Sequence, residues 1–367
     1  MLLKHGANMN IGNKGGFTPL YAASQDGHVE VVRELLNHGA NGNTRNKGGF
    51  TPLYAAVQNG HVEVVRELLN NGANVNTAGP GGFNPLCLAG QNGHVQVVRE
   101  LLNNSAIVNT ANKEGDTLLY AADQNWSVEV VRDLLNNGAN VNTADKGGFT
   151  PLYLAGQEGH VELVRELLNN GANVNTAITP GFTPLFIASE NGHVEVVREL
   201  LNHGANMNTA DNYGRTPLHV ACLLGRSDVV RELLNRGANM NTADKAGDTP
   251  LYIAGWKGHV EVVRDLLNHG ANVNIANKDG FTPLFVAGGN GYVEVVQELL
   301  YHGANVNTAD KDGDTPLYIA GRNGHVEVVR ELLNHGAQVD KSKEAGQAFI
   351  SLAAEKGYLD FICDVLK

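Results

Sequence analysis

The chain has 367 residues, 42% of them hydrophobic and 18% charged, with a formal net charge of −11. That acidic balance argues against binding nucleic acid or an anionic membrane through phosphate neutralisation, which needs a basic stripe. No apolar run approaches the roughly 18 residues of a membrane span, and the first residues lack the hydrophobic stretch of a signal peptide, so a soluble chain is expected.

A Gly-x-Thr-Pro-Leu-aromatic motif recurs every 33 residues without insertion, at Gly16, Gly49, Gly82 and onward to Gly313 and Gly346. Self-similarity of this kind means stacked small units that cannot bury their apolar faces alone, hence a solenoid. Residues 1–12 read as the end of a truncated unit, because Leu2-Leu3-Lys4-His5-Gly6 aligns with Leu35-Leu36-Asn37-His38-Gly39. Further repeats upstream are therefore expected. Residues 13–342 then hold ten consecutive repeats with no linker between them.

The fifth repeat is representative. Asp145, Gly147 and Gly148 predict a sharp turn, Asp145 bonding its own backbone. Thr150 is a helix cap with Pro151 at the first helical position, and Leu152 and Ala155 supply a short apolar stripe that ends near Gly159. A second helix begins near His160 with Val161, Val164, Leu167 and Leu168 on one face, while Glu162, Arg165 and Glu166 fall on the other. Gly171 is the expected left-handed C-terminal cap, followed by the extended Ala172-Asn173-Val174-Asn175.

The junction between the third and fourth repeats departs from this pattern, with Ser105 for the capping glycine, Leu118 for the proline and Trp126-Ser127 for Gly-His. These changes predict a locally weakened joint. Residues 343–367 keep Gly346 and Gly357 but lose Thr-Pro, the degenerate form expected of a C-terminal capping repeat.

These units closely resemble the ankyrin repeat family. Its signature Gly-x-Thr-Pro-Leu-His-x-Ala is carried by Gly214-Arg215-Thr216-Pro217-Leu218-His219-Val220-Ala221, and the likeness covers essentially the whole chain. The resemblance implies an all-α solenoid of stacked helix-turn-helix units with short β-hairpin loops. Loop tips and first helices would line a concave face, with second helices behind. It also assigns the histidine opening each second helix a structural place. The last Asn of each Gly-Ala-Asn-Val-Asn stretch, such as Asn142 or Asn307, matches a position hydroxylated in some animal ankyrin proteins.

Chemistry is sparse. The recurring histidines give single imidazoles with no carboxylate or thiolate partner at ligand spacing, and the Glu195, Arg198 and Glu199 pattern reads as a solvated ion-pair face. No phosphate loop, nucleophile elbow or zinc helix is present, so neither catalytic residues nor a cofactor or metal site is expected. Cys87, Cys222 and Cys363 are an odd, unclustered set suited to a reducing compartment, cytosol or nucleus.

The expected function is a non-catalytic module that binds a protein partner on its concave face, as a monomer. Second helices barely vary among the repeats, whereas turn tips and first-helix ends do. A phenylalanine precedes the motif threonine in six copies, Phe149 and Phe182 among them, and reads either as an exposed apolar ladder or as rings packed on the neighbouring turn. The sharpest departures are Tyr213, Arg215, Leu223, Leu224, Arg226, Asp248, Trp256 and Lys257 in the seventh and eighth repeats. Aromatic, arginine and exposed leucine side chains compose interface hot spots, which makes residues 213–257 the candidate patch. Two other readings stand beside it: the regulatory ankyrin part of a larger enzyme or channel, suggested by the mid-repeat start, or a small-ligand site in which Tyr213, Arg215, Trp256 and Lys257 hold a nucleotide.

Overall fold

The computed structural model describes residues 8–111, 119 and 127–339, which form an all-α stack of helix pairs. Its contacts divide the chain into two compact units, Met1–Ile178 and Thr179–Lys367. In the first unit, first helices α1 (Pro19–Gln25), α3 (Pro52–Gln58), α5 (Pro85–Gln91) and α8 (Pro151–Glu158) alternate with second helices α2 (Val29–Asn37), α4 (Val62–Asn70), α6 (Val95–Asn103), α7 (Val128–Asn136) and α9 (Val161–Asn169). The second unit holds first helices α10 (Pro184–Asn191), α12 (Pro217–Leu223), α14 (Pro250–Lys257), α16 (Pro283–Gly289) and α18 (Pro316–Arg322). Its second helices are α11 (Val194–Asn202), α13 (Ser227–Asn235), α15 (Val260–Asn268), α17 (Val293–Tyr301) and α19 (Val326–Asn334).

The local signals act as the sequence predicts. Thr150 Oγ1 accepts from Tyr153 N at 3.2 Å, Pro151 opens α8, and Gly159 ends it at φ 81°. Gly171, just past α9, sits at φ 82°. Ser105 occupies the same left-handed conformation at φ 63°, a strain of about 1 kcal/mol for a residue with a Cβ. Leu118, Trp126 and residues 343–367 lie outside the described residues.

One face is broader than predicted. In α9 Leu163, Val164, Leu167 and Leu168 are buried while Val161 is only half-buried. Within each unit second helices pack on second helices and first on first, besides packing within each pair, so a second helix buries two flanks as well as its inner side.

The short β-hairpins implied by the resemblance do not form among the described residues, whose loops hold only single-residue bridges at Ala111, Ile178 and Phe182. Most loops instead close on an Asn or Asp side chain, the loops that begin at Gly79 and Ile178 having none to offer. Asp145 Oδ1 accepts from Gly147 N and Phe149 N, both at 2.8 Å, and Asp145 N donates to Phe149 O at 3.1 Å. A five-residue turn leaves no room for a second rung. Neighbouring loops are joined edge to edge by one bond each, such as Lys245 N to Tyr213 O at 2.9 Å and Lys278 N to Ala246 O at 3.1 Å.

Among the described residues no helix is long and apolar enough to cross a membrane.

Candidate functional site: the loop and first-helix face

The repeats are tied together by polar side chains, and what remains untied defines the surface open to a partner. The last Asn of the Gly-Ala-Asn-Val-Asn stretches that end at Asn76, Asn142, Asn274 and Asn307 is a two-ended staple. Asn274 Oδ1 accepts from Asn305 N at 2.8 Å in the next repeat, and its Nδ2 donates to Gly303 O at 3.3 Å. Asn142 does the same toward Asn173 N and Gly171 O at 2.7 and 3.2 Å, and Asn307 toward Gln338 N and Gly336 O. These amides are occupied in holding repeats in register.

The histidine opening each second helix is likewise structural, as the resemblance implied. The Nε2 of His61, His94, His259 and His325 lies 3.0 to 3.2 Å from a backbone carbonyl at the end of the first helix of the previous repeat, an acceptor to which it donates. The histidines past the second helices reach back through Nδ1 to the carbonyl four residues earlier, as His269 does to Asp265 O at 2.7 Å. Asn137 and Asn170 make the same bond through Nδ2, which explains why Asn and His interchange there. Among the described residues no group of three or more His, Cys, Asp or Glu side chains could hold a metal ion.

The predicted patch separates into engaged and available side chains. Arg215 is committed: its Nε and Nη2 donate to Asp211 Oδ2 at 2.9 and 2.7 Å, and the Asp211 carboxylate is fully buried. Arg226 stands where other repeats carry the structural histidine and takes over its bond, Nε donating to Glu190 O at 3.0 Å. Asp248 accepts from Asn277 Nδ2 at 2.9 Å, and burial, with Asp244 and Asp279 nearby, raises its carboxyl above the usual range against that bond. Leu223 packs on the buried cluster of Tyr252, Ile253, Phe285, Val286 and Ile319.

Four residues remain. Tyr213 is 62% exposed, and Leu224 and Trp256 are each 43% exposed. Lys257 sits with its ammonium 4.0 Å from the Trp256 ring centroid, a cation–π pair. The Arg215 guanidinium stacks at 5.0 Å over Tyr213, holding that ring while leaving its outer face open.

The phenylalanine ladder adopts neither expected form. Five of the six rings pack on the aromatic four residues later in their own first helix, as Phe149 does on Tyr153 at 5.4 Å, Phe182, stacked, on Phe186 at 4.6 Å and Phe281 on Phe285 at 4.7 Å; at Phe83 that place is held by Cys87. Phe149 and Phe182 are half-buried by this contact, and Phe17 is the exposed exception at 40%.

Behind the patch lies the family signature. His219 is fully buried, its Nδ1 accepting from Thr216 N at 3.1 Å and its Nε2 donating to Asp248 O at 3.2 Å. Burial lowers its pKa, and a neutral ring with Nε2 protonated satisfies both bonds. Burial also pushes the Cys87 thiol up to about 11 and the Cys222 thiol higher still, so neither is an accessible nucleophile.

Stacked helix pairs with staples between repeats and an exposed aromatic patch on their loop and first-helix side define a repeat scaffold for binding. A family profile described as "Ankyrin repeats (3 copies)" matches residues 1–79, 86–178, 152–244, 236–310 and 290–367, and the chain belongs to the ankyrin repeat family. Proteins of this family generally act as protein–protein interaction modules and are typically non-catalytic scaffolds. No curated protein matches the chain.

Sequence reasoning overlooked the second helix of the ninth repeat. Gln297 stands where the nine sibling positions, from Arg33 to Arg330, all hold arginine, and Tyr301 stands where nine siblings from Asn37 to Asn334 hold asparagine. The signal was present, but the near-identity of the other second helices masked it.

Proposed function

We propose that this chain binds a protein partner on its loop and first-helix face, concave by the family resemblance, through Tyr213, Leu224, Trp256 and Lys257. The supporting observation is that these side chains are exposed, occupy positions where sibling repeats, Leu223 and Leu224 of the seventh apart, carry small or polar residues, and serve no staple between repeats. Arg215, Arg226, Asp248 and Leu223 support the patch from beneath, and Phe149 and Phe182 are spent on their own helices. The division into a partial unit 1–12, ten repeats 13–342 and a capping repeat 343–367 belongs to the same proposal, as do a monomeric state and a reducing intracellular setting.

The test replaces three residues with the types found in sibling repeats, so that the fold is retained: Tyr213→Ala as at Ala246, Leu224→Asn as at Asn290 and Trp256→Gln as at Gln157. Truncating hot-spot aromatics costs about 2 kcal/mol or more each. A partner recovered from lysate by the unaltered chain should therefore be lost by the triple variant at equal helicity. Equal recovery by the two would remove the patch from consideration.

A further inference from the structure

The second-helix face carries an ion-pair ladder in which every arginine meets a carboxylate and several, such as Arg66, Arg198 and Arg264, are shared between two, whereas Arg33 and Arg132 pair with one. Arg264 donates to Glu261 in its own helix at 2.9 Å and to Glu298 in the next repeat at 2.7 Å. Arg198 bridges Glu195 and Glu232 at 2.6 and 3.3 Å, and Arg66 bridges Glu63 and Glu100 in the same way. Both carboxylates are kept at the ninth repeat, Glu294 in its own second helix and Glu331 in that of the tenth, but Gln297 stands between them. The Gln297 amide donates to Glu331 Oε1 at 2.9 Å and carries no charge. Glu294 has no partner among the described residues. Of two carboxylates that a sibling arginine would neutralise, one thus meets only a neutral amide and the other meets neither.

Beside them Tyr301 replaces asparagine and is 85% exposed, the most exposed large hydrophobic side chain among the described residues. An open groove of about 550 Å³ lies here, lined by Arg264, Glu294, Gln297, Glu298, Tyr301 and His335. Its own arginine is already engaged by Glu261 and Glu298, so the unbalanced charge is negative.

We propose that this groove is a second docking surface, which receives an arginine side chain presented by a partner polypeptide. The guanidinium takes the place filled within the chain at every sibling position. It pairs through its forked N–H groups with Glu294, which lines the groove, reaches towards Glu331 beyond the Gln297 amide, and lies against the Tyr301 ring. Arginine fits better than lysine because its planar fork pairs with carboxylates bidentately and stacks on aromatic faces. This surface lies on the second-helix face and does not depend on the patch around Trp256.

The experiment is fluorescence anisotropy with a fluorescein-labelled Gly/Ser octapeptide containing two arginines and a twin carrying neutral citrulline instead. The arginine peptide should bind the full chain at least tenfold tighter than the citrulline peptide. Gln297→Arg and Tyr301→Asn, which restore sibling residues and so preserve the fold, should each lower that affinity at least fivefold. Asn136→Lys, which matches the charge change of Gln297→Arg on a distant second helix, should leave it unchanged. Equal binding of the two peptides, unchanged affinity in Gln297→Arg, or an equal loss in Asn136→Lys would overturn the proposal.

Discussion

At the scale of single residues, repetition changes what a side chain contributes. Asn274 is exposed and would look dispensable on an isolated helix pair, yet its amide makes two backbone bonds to the following repeat. Each intramolecular hydrogen bond contributes about 0.5–1.5 kcal/mol net, so Asn274→Ala should destabilise the chain by about 1–2 kcal/mol in urea titration. Asn274→Asp retains the acceptor and should cost less. A loss below about 0.5 kcal/mol for the alanine variant would show the staple to be replaceable by water. None of this was legible before the fold was known, because the partners stand 29 and 31 residues away and no local pattern points to them. The same holds for Arg226, which composition assigned to an interface and packing assigned to a staple.

At the scale of elements, glycines of like conformation carry unlike burdens. Gly247 in the turn before α14 has φ 91°, and a Cβ there would lie 2.7 Å from the backbone nitrogen of Lys278 in the next loop. Gly270 after α15 has φ 88° with nothing within 4 Å of that position. Gly270→Ala should therefore cost only the left-handed penalty of about 1 kcal/mol, while Gly247→Ala should cost about 2 kcal/mol or more by also prising apart adjacent loops. Equal urea midpoints for the two variants would mean that the loop contact yields freely. The element boundaries were readable in the sequence because Thr-Pro and Gly are local signals. That hairpins do not form among the described residues was not, since whether a turn grows a second rung depends on where the neighbouring loop's N–H groups find acceptors.

At the scale of the whole molecule, each repeat within a unit contacts chiefly its neighbours, so stability accumulates from nearest-neighbour terms and a local lesion is felt first by the adjacent repeats. Leu266 in α15 is fully buried. Leu266→Ala should cost about 2–5 kcal/mol, and in a Trp126→Phe background the fluorescence of Trp256 should report unfolding at lower urea than far-UV circular dichroism does. Coincident transitions would instead show that the surrounding repeats unfold as one block.

The sequence alone determined the period, the helix pairs, their caps and the family, because each of these is set within one repeat by neighbours a few residues apart. It also located the region where repeats diverge. Only the tertiary structure decided which divergent side chains are available. Tyr213, Leu224 and Trp256 remain exposed while Arg215 and Arg226 are tied down, and Gln297 interrupts a ladder that exists only when helices lie side by side. The physical reason is that a side chain's identity states which bonds it can make, whereas the approach of the next repeat, 33 residues on, determines which of them it does make.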